Sequence, residues 1–260
     1  MHNFDEFYDI KGTNFKVINC KNCGFWHVFP YPSQEQMDTF YEKKYQDKLN
    51  KHNLIEKTDL LKNKNVKTVL DIGCGDGELL DVFKKNGFET YGLEPSYQAY
   101  QNASKKHKVY NSTLKENLFD KKFDAIILNF VLEHIRDPFN FLNIIITNFL
   151  TPGGYILIEI PNDFNLLQTV YLDNYNANNK LPYWIHFPDH LNYWNCFTII
   201  DFIKKFNLEV IYKRISFPME LFLLFGDDYI KEPKLGPLIH EKRVNFENSF
   251  HDANFSNTLS

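Results

Sequence analysis

Glycines and acidic residues lie close together at one point of the sequence, in the segment Asp71-Ile-Gly73-Cys-Gly75-Asp-Gly77. Glycine allows positive φ angles and lets the backbone approach a ligand closely. The helix predicted to follow would present free N–H groups and a positive dipole end to a carboxylate or phosphate. The dinucleotide fingerprint GxGxxG would need its third glycine at position 78, where the chain has Glu78. This pattern argues against a dinucleotide, and Asp71 suits a ligand with a cationic amino group.

A second acidic residue, Glu94, directly follows a predicted strand at 89–93 and lies 23 residues after Asp71. A carboxylate in this position can accept hydrogen bonds from both hydroxyls of a ribose. Together with the glycine turn, Glu94 therefore predicts a ligand that is a nucleoside carrying an amino acid. The alternative is a turn that only closes a strand–helix junction, followed by an ordinary acid at a strand end.

The elements that would position these residues alternate between strand and helix patterns over residues 66–160. Strands are predicted at 66–72, 89–93, 123–128 and 155–160, and helices at 79–85, 97–106 and 139–149. This βαβαβ alternation predicts an α/β fold, a Rossmann-like doubly wound and mostly parallel sheet. Ligands of such sheets bind at the carboxyl ends of the strands, where Asp71 and Glu94 are expected.

The flanking regions are predicted to be accessory. In the N-terminal zone, Ser33-Gln-Glu-Gln36 is a capping box that begins a helix carrying Phe40, Tyr41 and Tyr45. Residues 161–196 are predicted to be a long loop that covers the substrate. A helix at 197–206 and strands at 209–215 and 219–225 follow. The expected division is an N-terminal appendage at 1–62, a main ligand-binding domain at 63–225 and a C-terminal tail at 226–260, frayed over 254–260.

Four segments carry a wider resemblance. They are Val69-Leu-Asp-Ile-Gly-Cys-Gly-Asp-Gly77, Tyr91-Gly-Leu-Glu-Pro95, Phe130-Val-Leu-Glu-His134 and Leu150-Thr-Pro-Gly-Gly154. In order and spacing they resemble the class I S-adenosylmethionine (SAM)-dependent methyltransferases. The resemblance implies an enzyme with SAM as cofactor and S-adenosylhomocysteine as product.

The resemblance also implies which residues bind SAM. Those expected near the methionine part are Asp71, Gly73, Cys74, Gly75, Asn129 and Phe130. Those expected at the ribose are Glu94 and Pro95. Those expected near adenine are Ser112, Thr113 and Leu114.

Further motifs resemble a subgroup of these enzymes that acts on nucleotide-linked sugars. They are the N-terminal Cys-x-x-Cys-Gly, the Pro-x-Pro-Ser before the first helix, and two acid–histidine pairs. In the sugar C-methyltransferases of the subgroup the histidine of the second pair is the base. His190 matches that base, preceded by Asp189 where the family has Glu. His134 matches a histidine that lines the substrate pocket, with Glu133 beside it. In the alternative, Glu133 only pairs on a helix and His134 packs under the cofactor.

The expected reaction is methyl transfer to an oxygen or nitrogen of a small polar metabolite, assisted by a base. The acceptor would be a sugar, a sugar nucleotide or a phosphorylated compound of surface polysaccharide synthesis. Two alternatives stay open: a non-catalytic SAM-binding subunit, and a nucleic-acid methyltransferase. A formal net charge of -4 and the absence of an Asn-Pro-Pro-Tyr motif weigh against the second.

Cys20 and Cys23 resemble half of a zinc ribbon. A structural zinc ion requires four ligands. The chain has no earlier cysteine pair, and only His2 and His27 lie nearby in sequence. We therefore expect no metal ligands and a metal-free remnant at this point.

Composition sets further bounds on the 260-residue chain. Its hydrophobic fraction of 43% and charged fraction of 24% are ordinary for a globular protein. Four cysteines are too few for a disulfide scaffold of this size. The N-terminus lacks signal-peptide features, and no stretch approaches the roughly 20 apolar residues of a membrane span. We expect a cytoplasmic monomer or homodimer with no membrane or nucleic-acid partner.

Overall fold

The computed structural model describes residues 2–33, 35–37, 40, 54–174 and 181–252. The chain divides into two compact units. We call Tyr31–Ile160 the central unit, and Met1–Pro30 with Pro161–Ser260 the split unit. This division differs from the predicted boundaries after residues 62 and 225. The reason is that a strand at Asn192–Tyr193 pairs with an N-terminal strand at Phe25–Phe29, which joins the two ends of the chain.

The strands form one sheet in each unit. Among the described residues they are, in chain order, β1 (Phe7–Asp9), β2 (Lys16–Cys20), β3 (Phe25–Phe29), β4 (Thr68–Ile72), β5 (Glu89–Leu93), β6 (Lys108–Tyr110), β7 (Phe123–Asn129), β8 (Leu150–Glu159) and β9 (Asn192–Tyr193). The central sheet is parallel with the order β6-β5-β4-β7-β8. Chain order reverses between β4 and β7, as in Rossmann-like sheets. The predicted fold class is therefore confirmed.

Helices connect and cover the strands. Those whose bounds lie within the described residues are, in chain order, α1 (Leu54–Lys62), α2 (Glu78–Lys85), α3 (Tyr97–Ala103), α4 (Pro138–Ile144), α5 (Leu166–Asn174), α6 (Thr198–Lys204), α7 (Glu220–Leu224) and α8 (Gly236–Asp252). A π-helical turn at Ile145–Phe149 continues α4, and 3-10 turns lie at Leu132–His134 and Pro233–Leu235. Side-chain caps mark the start of α3, where Ser96 accepts from Ala99 N, and of α4, where Asp137 accepts from Asn140 N.

The core of the central unit lies around β4. All four residues of 69–72 are buried, as expected for a strand covered on both faces. Leu61 of α1 and Phe83 of α2 pack in one cluster with Val69 and Ala125. Because these apolar side chains are removed from water, the sheet is a rigid platform for the loops at its strand ends.

The split unit is built on an antiparallel sheet of order β1-β2-β3-β9. β2 and β3 form a hairpin in which Ile18 faces His27 and Val17 faces Val28. All four side chains are fully buried, so both faces of the hairpin are covered. An aromatic cluster completes this core, with ring centroids 4.7–5.7 Å apart; its members are Phe25, Trp194 and Phe202.

Two predicted strands near the C-terminus are wrong. Residues 209–215 have no regular structure, and Ile211 and Tyr212 are exposed. Residues 219–225 contain helix α7, and its Glu220 accepts hydrogen bonds from Gln168 and Tyr183. A short apolar run cannot be assigned to strand or buried helix from periodicity alone. The predicted tail contains α8, and the expected fraying of 254–260 lies outside the described residues.

The capping box before the first predicted helix is confirmed. Gln36 N donates to Ser33 Oγ at 3.2 Å, and Ser33 N donates to Gln36 Oε1 at 2.8 Å. Phe40 is helical, whereas Tyr41 and Tyr45 lie outside the described residues. Along the described part of the chain, no helix has the length and apolar character needed to cross a bilayer.

Candidate functional site

The predicted cofactor-binding residues lie at one edge of the central sheet. Because the strands are parallel and paired in register, their carboxyl ends share this edge. Asp71 is near the end of β4, Glu94 follows β5, and Asn129 ends β7. Three side chains that are distant in the sequence thus come from adjacent strands.

The glycine turn joins β4 to α2. Gly73, Gly75 and Gly77 have φ angles of 75°, 53° and 84°, a region that side chains rarely adopt. The N–H groups of Gly73 and Cys74 both donate to the Leu93 carbonyl, at 2.7 and 3.1 Å. The turn is thereby held against the end of β5, next to Glu94. Burial raises the pKa of the Cys74 thiol, which favours a packing role over a nucleophile.

Glu94 is 2% exposed and is held by the backbone. Gly75 N donates to its Oε2 at 2.9 Å, and Ser96 N donates to its Oε1 at 2.7 Å. An ionised carboxylate offers about four lone-pair positions in all, so one glutamate side chain can accept from the backbone and from a ligand at once. The geometry can therefore bind a pair of neighbouring hydroxyls beside the glycine turn.

Asp71 is buried in the same place, with 2% exposure. Its Oδ1 has no hydrogen-bond partner among the described residues. Burial raises the pKa of Asp71 to about 7, Lys57 opposes this shift, and the charge of Glu94 adds to it. A cationic ligand at Oδ1 would satisfy the buried oxygen and stabilise the ionised form. This orphaned acceptor fits the amino group of an amino-acid ligand.

Lys57 of α1 also reaches this edge of the sheet, and sequence reasoning missed it. Its ammonium contacts Asn129 Oδ1 and Glu159 Oε2, which end β7 and β8. Because its side chain is largely buried, the ion pair with Glu159 is screened by water less than a pair on the protein surface would be. No motif marks a lysine in this poorly periodic helix, and only the fold brings it to the strand ends.

Gly92 is a second missed residue. A Cβ at this position would lie 2.7 Å from Cys74 Sγ and 3.0 Å from Leu80 Cδ1 and Val109 Cγ2. The glycine turn therefore packs directly on the backbone of β5. Its signal was present in the segment Tyr91-Gly-Leu-Glu-Pro95, but a glycine within a strand has no assigned chemistry.

The segment predicted to lie near adenine follows β6. Ser112 N donates to Tyr110 O at 3.1 Å, and Ser112 Oγ donates to Thr113 O at 2.8 Å. Asn111, which belongs to no predicted motif, donates to the carbonyls of Glu94 and Pro95 at 2.9 and 3.0 Å. The bonds of Asn111 fasten the start of the segment Ser112 to Leu114 to Glu94 and Pro95, which follow β5.

The remaining predicted residues of the central unit lie after β7. Phe130 is 39% exposed and has a φ of 54°, and its N–H donates to Glu159 O at 2.9 Å. Glu133 and His134 lie in the 3-10 turn, where Glu133 is buried and His134 is half-buried. The positive φ at Phe130 turns the chain at the strand end and sets the direction of this turn.

The other acid–histidine pair, Asp189 and His190, lies in the split unit. His190 N donates to His186 O at 2.8 Å, and the rings of these histidines have centroids 5.3 Å apart. Tyr193 Oη donates to the His190 carbonyl at 2.9 Å. The backbone of His190 is thus fixed at both polar groups, and its half-buried ring is held in a defined segment.

Residues 37–213 match the family model described as "Methyltransferase domain". The match covers more than half of the chain, and the chain belongs to this family. The resemblance to class I SAM-dependent methyltransferases is thereby confirmed, and SAM is the cofactor of that class.

Curated relatives carry the name ubiquinone biosynthesis O-methyltransferase. The protein from Alkalilimnicola ehrlichii is 29% identical over an alignment of 104 positions, and the match covers 36% of this chain and 41% of the relative. The protein from Nitrobacter winogradskyi is 36% identical over an alignment of 101 positions, and the match covers 36% of this chain and 38% of the relative. The chain spans about two fifths of the length of the curated relatives it matches.

Two solved structures that the chain matches have low identity and low TM-scores. A SAM-dependent methyltransferase from Archaeoglobus fulgidus is 19% identical and covers 75% of this chain and 91% of its own, with a TM-score of 0.42. The sugar N-methyltransferase KedS8 from Streptoalloteichus is 21% identical and covers 50% and 56%, with a TM-score of 0.35. The family match and the sheet order of the chain itself define the fold.

Proposed function

We propose that the chain binds SAM at the carboxyl edge of the central sheet and transfers its methyl group to a small polar metabolite. The observation that carries this proposal is a combination of three features: Asp71, whose Oδ1 has no hydrogen-bond partner within the described ranges; the glycine turn; and the backbone-held Glu94. These groups lie on adjacent strands and suit an amino cation, an amino-acid chain and a ribose in turn.

The cofactor roles follow this order along the edge. Asp71 would accept from the amino group of SAM. Gly73, Cys74 and Gly75 would line its methionine part. Glu94 would accept from the ribose hydroxyls, with Pro95 beside it. The residues proposed to lie near adenine are Ser112, Thr113 and Leu114. Those proposed to lie near the methionine part, at the end of β7, are Asn129 and Phe130. The bound cofactor supplies a methyl group on a sulfonium.

The chemical step requires little beyond positioning and a base. Positioning supplies much of the rate of a displacement between bound partners. We assign His190 as the group that takes the proton from the acceptor, with Asp189 as its neighbour, on the basis of the family resemblance. Glu133 and His134 are assigned to the acceptor side. A neutral imidazole is suited to this role near pH 7.

The acceptor is proposed to be a sugar, a sugar nucleotide or a phosphorylated metabolite, with oxygen or nitrogen as the methylated atom. The motif resemblance supports the sugar class. The name of the curated relatives, O-methyltransferase, supports oxygen. We also propose a role in polysaccharide synthesis and a location in the cytoplasm.

The proposal is tested with the full chain in two steps. Calorimetric titration with SAM and S-adenosylhomocysteine is expected to give binding of one molecule per chain. Transfer of a labelled methyl group is then measured against sugar nucleotides, amino sugars and sugar phosphates. Saturable SAM binding with transfer to no acceptor would favour the non-catalytic alternative. Absence of SAM binding would overturn the proposal itself.

A further inference from the structure

Four metal-ligating side chains that the proposed methyl transfer does not use converge in the split unit. They are His2, Cys20, Cys23 and His27, and their ligand atoms all lie within 4.8 Å of one another. We propose that these four residues bind a zinc ion in a closed Cys2His2 site. This inference replaces the expectation of a metal-free remnant and is independent of the proposed methyltransferase function.

The hairpin positions three of the four ligands. Cys20 ends β2 and Cys23 lies in the turn, which closes when Gly24 N donates to Cys20 O at 2.8 Å. Gly24 has a φ of 84°, a value that glycine adopts without strain. In the β2–β3 register Ile18 faces His27, so Cys20 and His27 share one face of the hairpin. The Cys-x-x-Cys turn and the strand after it therefore direct their ligands to one point.

The fourth ligand comes from the chain before β1. Asn3 O accepts from Lys21 N at 2.8 Å, and Asn3 N donates to Asn22 Oδ1 at 2.9 Å. These bonds fasten the N-terminal segment to the Cys-x-x-Cys turn. The ring of His2 then lies with its centroid 4.8 Å from that of His27. A distant residue in the sequence thus completes the set.

The interatomic distances suit a tetrahedral ion. His2 Nδ1 lies 3.3 Å from Cys20 Sγ and 3.8 Å from Cys23 Sγ. Tetrahedral zinc, with bonds of about 2.3 Å to sulfur and about 2.0–2.1 Å to nitrogen, separates its ligand atoms by about 3.3–3.8 Å. The measured separations fall within this range, and the 4.8 Å limit of the whole set requires only a small contraction.

The protonation states of the ligands are also suitable. The Nδ1 of His27 lies 2.8 Å from the Val28 carbonyl, which selects the tautomer that donates from Nδ1 and leaves the lone pair on Nε2. Two thiolates balance the charge of Zn²⁺. The Lys205 ammonium donates to the Cys23 carbonyl at 2.7 Å and adds a positive charge beside the turn. This hydrogen-bonded shell is the kind that orients metal ligands.

The donor set identifies the ion and its role. Two sulfur and two imidazole ligands in tetrahedral arrangement favour zinc over the hard cations magnesium and calcium. Four protein ligands leave no position for water or substrate, as in structural zinc sites. The ion would therefore join the N-terminal segment to the β2–β3 hairpin and stabilise the split unit, without entering the chemistry.

The first experiment measures zinc in the full chain after purification without chelator, by plasma mass spectrometry. We expect about one zinc per chain. Cys20→Ser and Cys23→Ser should each lower the zinc content several-fold. Cys196→Ser is the matched control, because Cys196 lies in the same unit outside the cluster, and it should retain the metal. Equal zinc content in all four proteins would overturn the site.

A second experiment uses the unmodified chain, so it does not depend on whether variants fold. The zinc is removed with chelator under reducing conditions and replaced with Co²⁺. A tetrahedral site with two thiolates gives visible d–d bands and a thiolate-to-cobalt charge-transfer band, both abolished by zinc. Absence of these bands, or a Cys20–Cys23 disulfide that persists under reductant with no metal uptake, would overturn the proposal.

Discussion

At the scale of single residues, the carboxylate of Glu94 is the group whose removal is most directly interpretable. Glu94→Ala is expected to weaken SAM binding by about 1–3 kcal/mol, the scale of hydrogen bonds to a charged group. This is about 5- to 150-fold in Kd by calorimetry. Glu89→Gln, at the exposed opposite end of the same strand, is the control and should leave Kd unchanged. Unaltered affinity in Glu94→Ala would contradict the ribose assignment.

Asp71 predicts a pH dependence of SAM binding. Burial raises its pKa to about 7, so near neutral pH the carboxyl is partly protonated before SAM binds. An amino cation favours the ionised form and must release the proton. SAM affinity is therefore expected to increase from about pH 6 to about pH 7.5, below the pKa of an ordinary α-amino group. Calorimetric titration with SAM across this pH range tests the prediction. The Asp71→Asn variant should bind SAM more weakly, and its affinity should not change with pH in this range. If its affinity still increased with pH, Asp71 would not be the group responsible for the pH dependence.

His190 predicts a separation of binding from turnover. His190→Ala is expected to leave the Kd for SAM unchanged and to lower kcat by about 10²-fold or more, the contribution of a general base. The measurement is methyl transfer to an acceptor found in the screen, followed over a pH range. An unchanged kcat with an unchanged pH profile would reduce His190 to a structural residue of its loop.

At the same scale, the sequence located the residues that belong to a motif and missed those that do not. Asp71, Gly73 and Glu94 are spaced by the strand–turn–helix unit, and the structure brings them to one edge. Lys57 reaches that edge from a helix that carries no motif. Gly92 matters because it has no side chain, which lets the glycine turn pack against β5. Their placement depends on contacts between elements distant in sequence, which local patterns do not contain.

At the scale of elements, the packing of the glycine turn on β5 depends on Gly92. Gly92→Ala would place a Cβ 2.7 Å from Cys74 Sγ, so the turn must shift. Overpacking of this kind costs about 1–3 kcal/mol. The free energy of unfolding in denaturant should fall by this amount and SAM affinity should fall with it.

Gly236→Ala is the control for that variant. Gly236 has a φ of -50°, and nothing lies within 4 Å of the position that the added methyl group would take, so stability should stay constant or rise slightly. The double variant Gly92→Ala with Cys74→Ala should recover part of the loss, since the sulfur is the nearest atom. Equal stability of Gly92→Ala and the natural chain would contradict the close approach.

Several well-predicted elements have turn-forming residues or clear apolar runs at their ends. β5 was predicted with its observed bounds, and β4 and α2 within two residues, because glycines and short apolar runs delimit them. The apolar run at 219–225 also lies between a proline and a glycine, Pro218 and Gly226, but these residues do not distinguish a strand from a short helix, and the structure has α7 there. Residues 209–215 are rich in β-branched and aromatic residues, as strands are, yet they belong to no strand of the two described sheets.

At the scale of the whole molecule, buried carboxyls in both units affect stability. Asp163 in the split unit has a pKa raised to about 7 by burial, with Glu220 adding to the shift and a hydrogen bond from Gln168 opposing it. Between about pH 4 and about pH 7 the folded chain keeps this proton while the unfolded chain has lost it. The contribution of Asp163 to stability is therefore lost as the pH rises through this window.

Asp163→Asn isolates this contribution. The free energy of unfolding of the variant, minus that of the natural chain, should increase between about pH 4 and about pH 7, because only the natural chain must ionise a buried acid. Denaturant unfolding at several pH values measures the difference, in which the other titrating groups cancel. A difference that does not change with pH would contradict a raised pKa.

The division of the chain could not be predicted from sequence. Composition and motifs suggested an appendage, a domain and a tail in succession. The observed split unit instead combines both ends of the chain, since β9 pairs with β3 and Trp194 packs on Phe25. Such pairing between segments far apart in the chain leaves no local signature, whereas the βαβαβ pattern of the central unit does.

The sulfur of Cys74 occupies the space that a side chain at position 92 would need, and this has an evolutionary consequence. A chain that acquires a side chain at 92 must lose atoms at 74, and a chain that keeps glycine at 92 is free to hold a thiol or a similar group there. Substitutions at the two positions should therefore arise together, a larger residue at 92 with a smaller one at 74. In a library in which both positions are randomised, few folded variants should have large side chains at both.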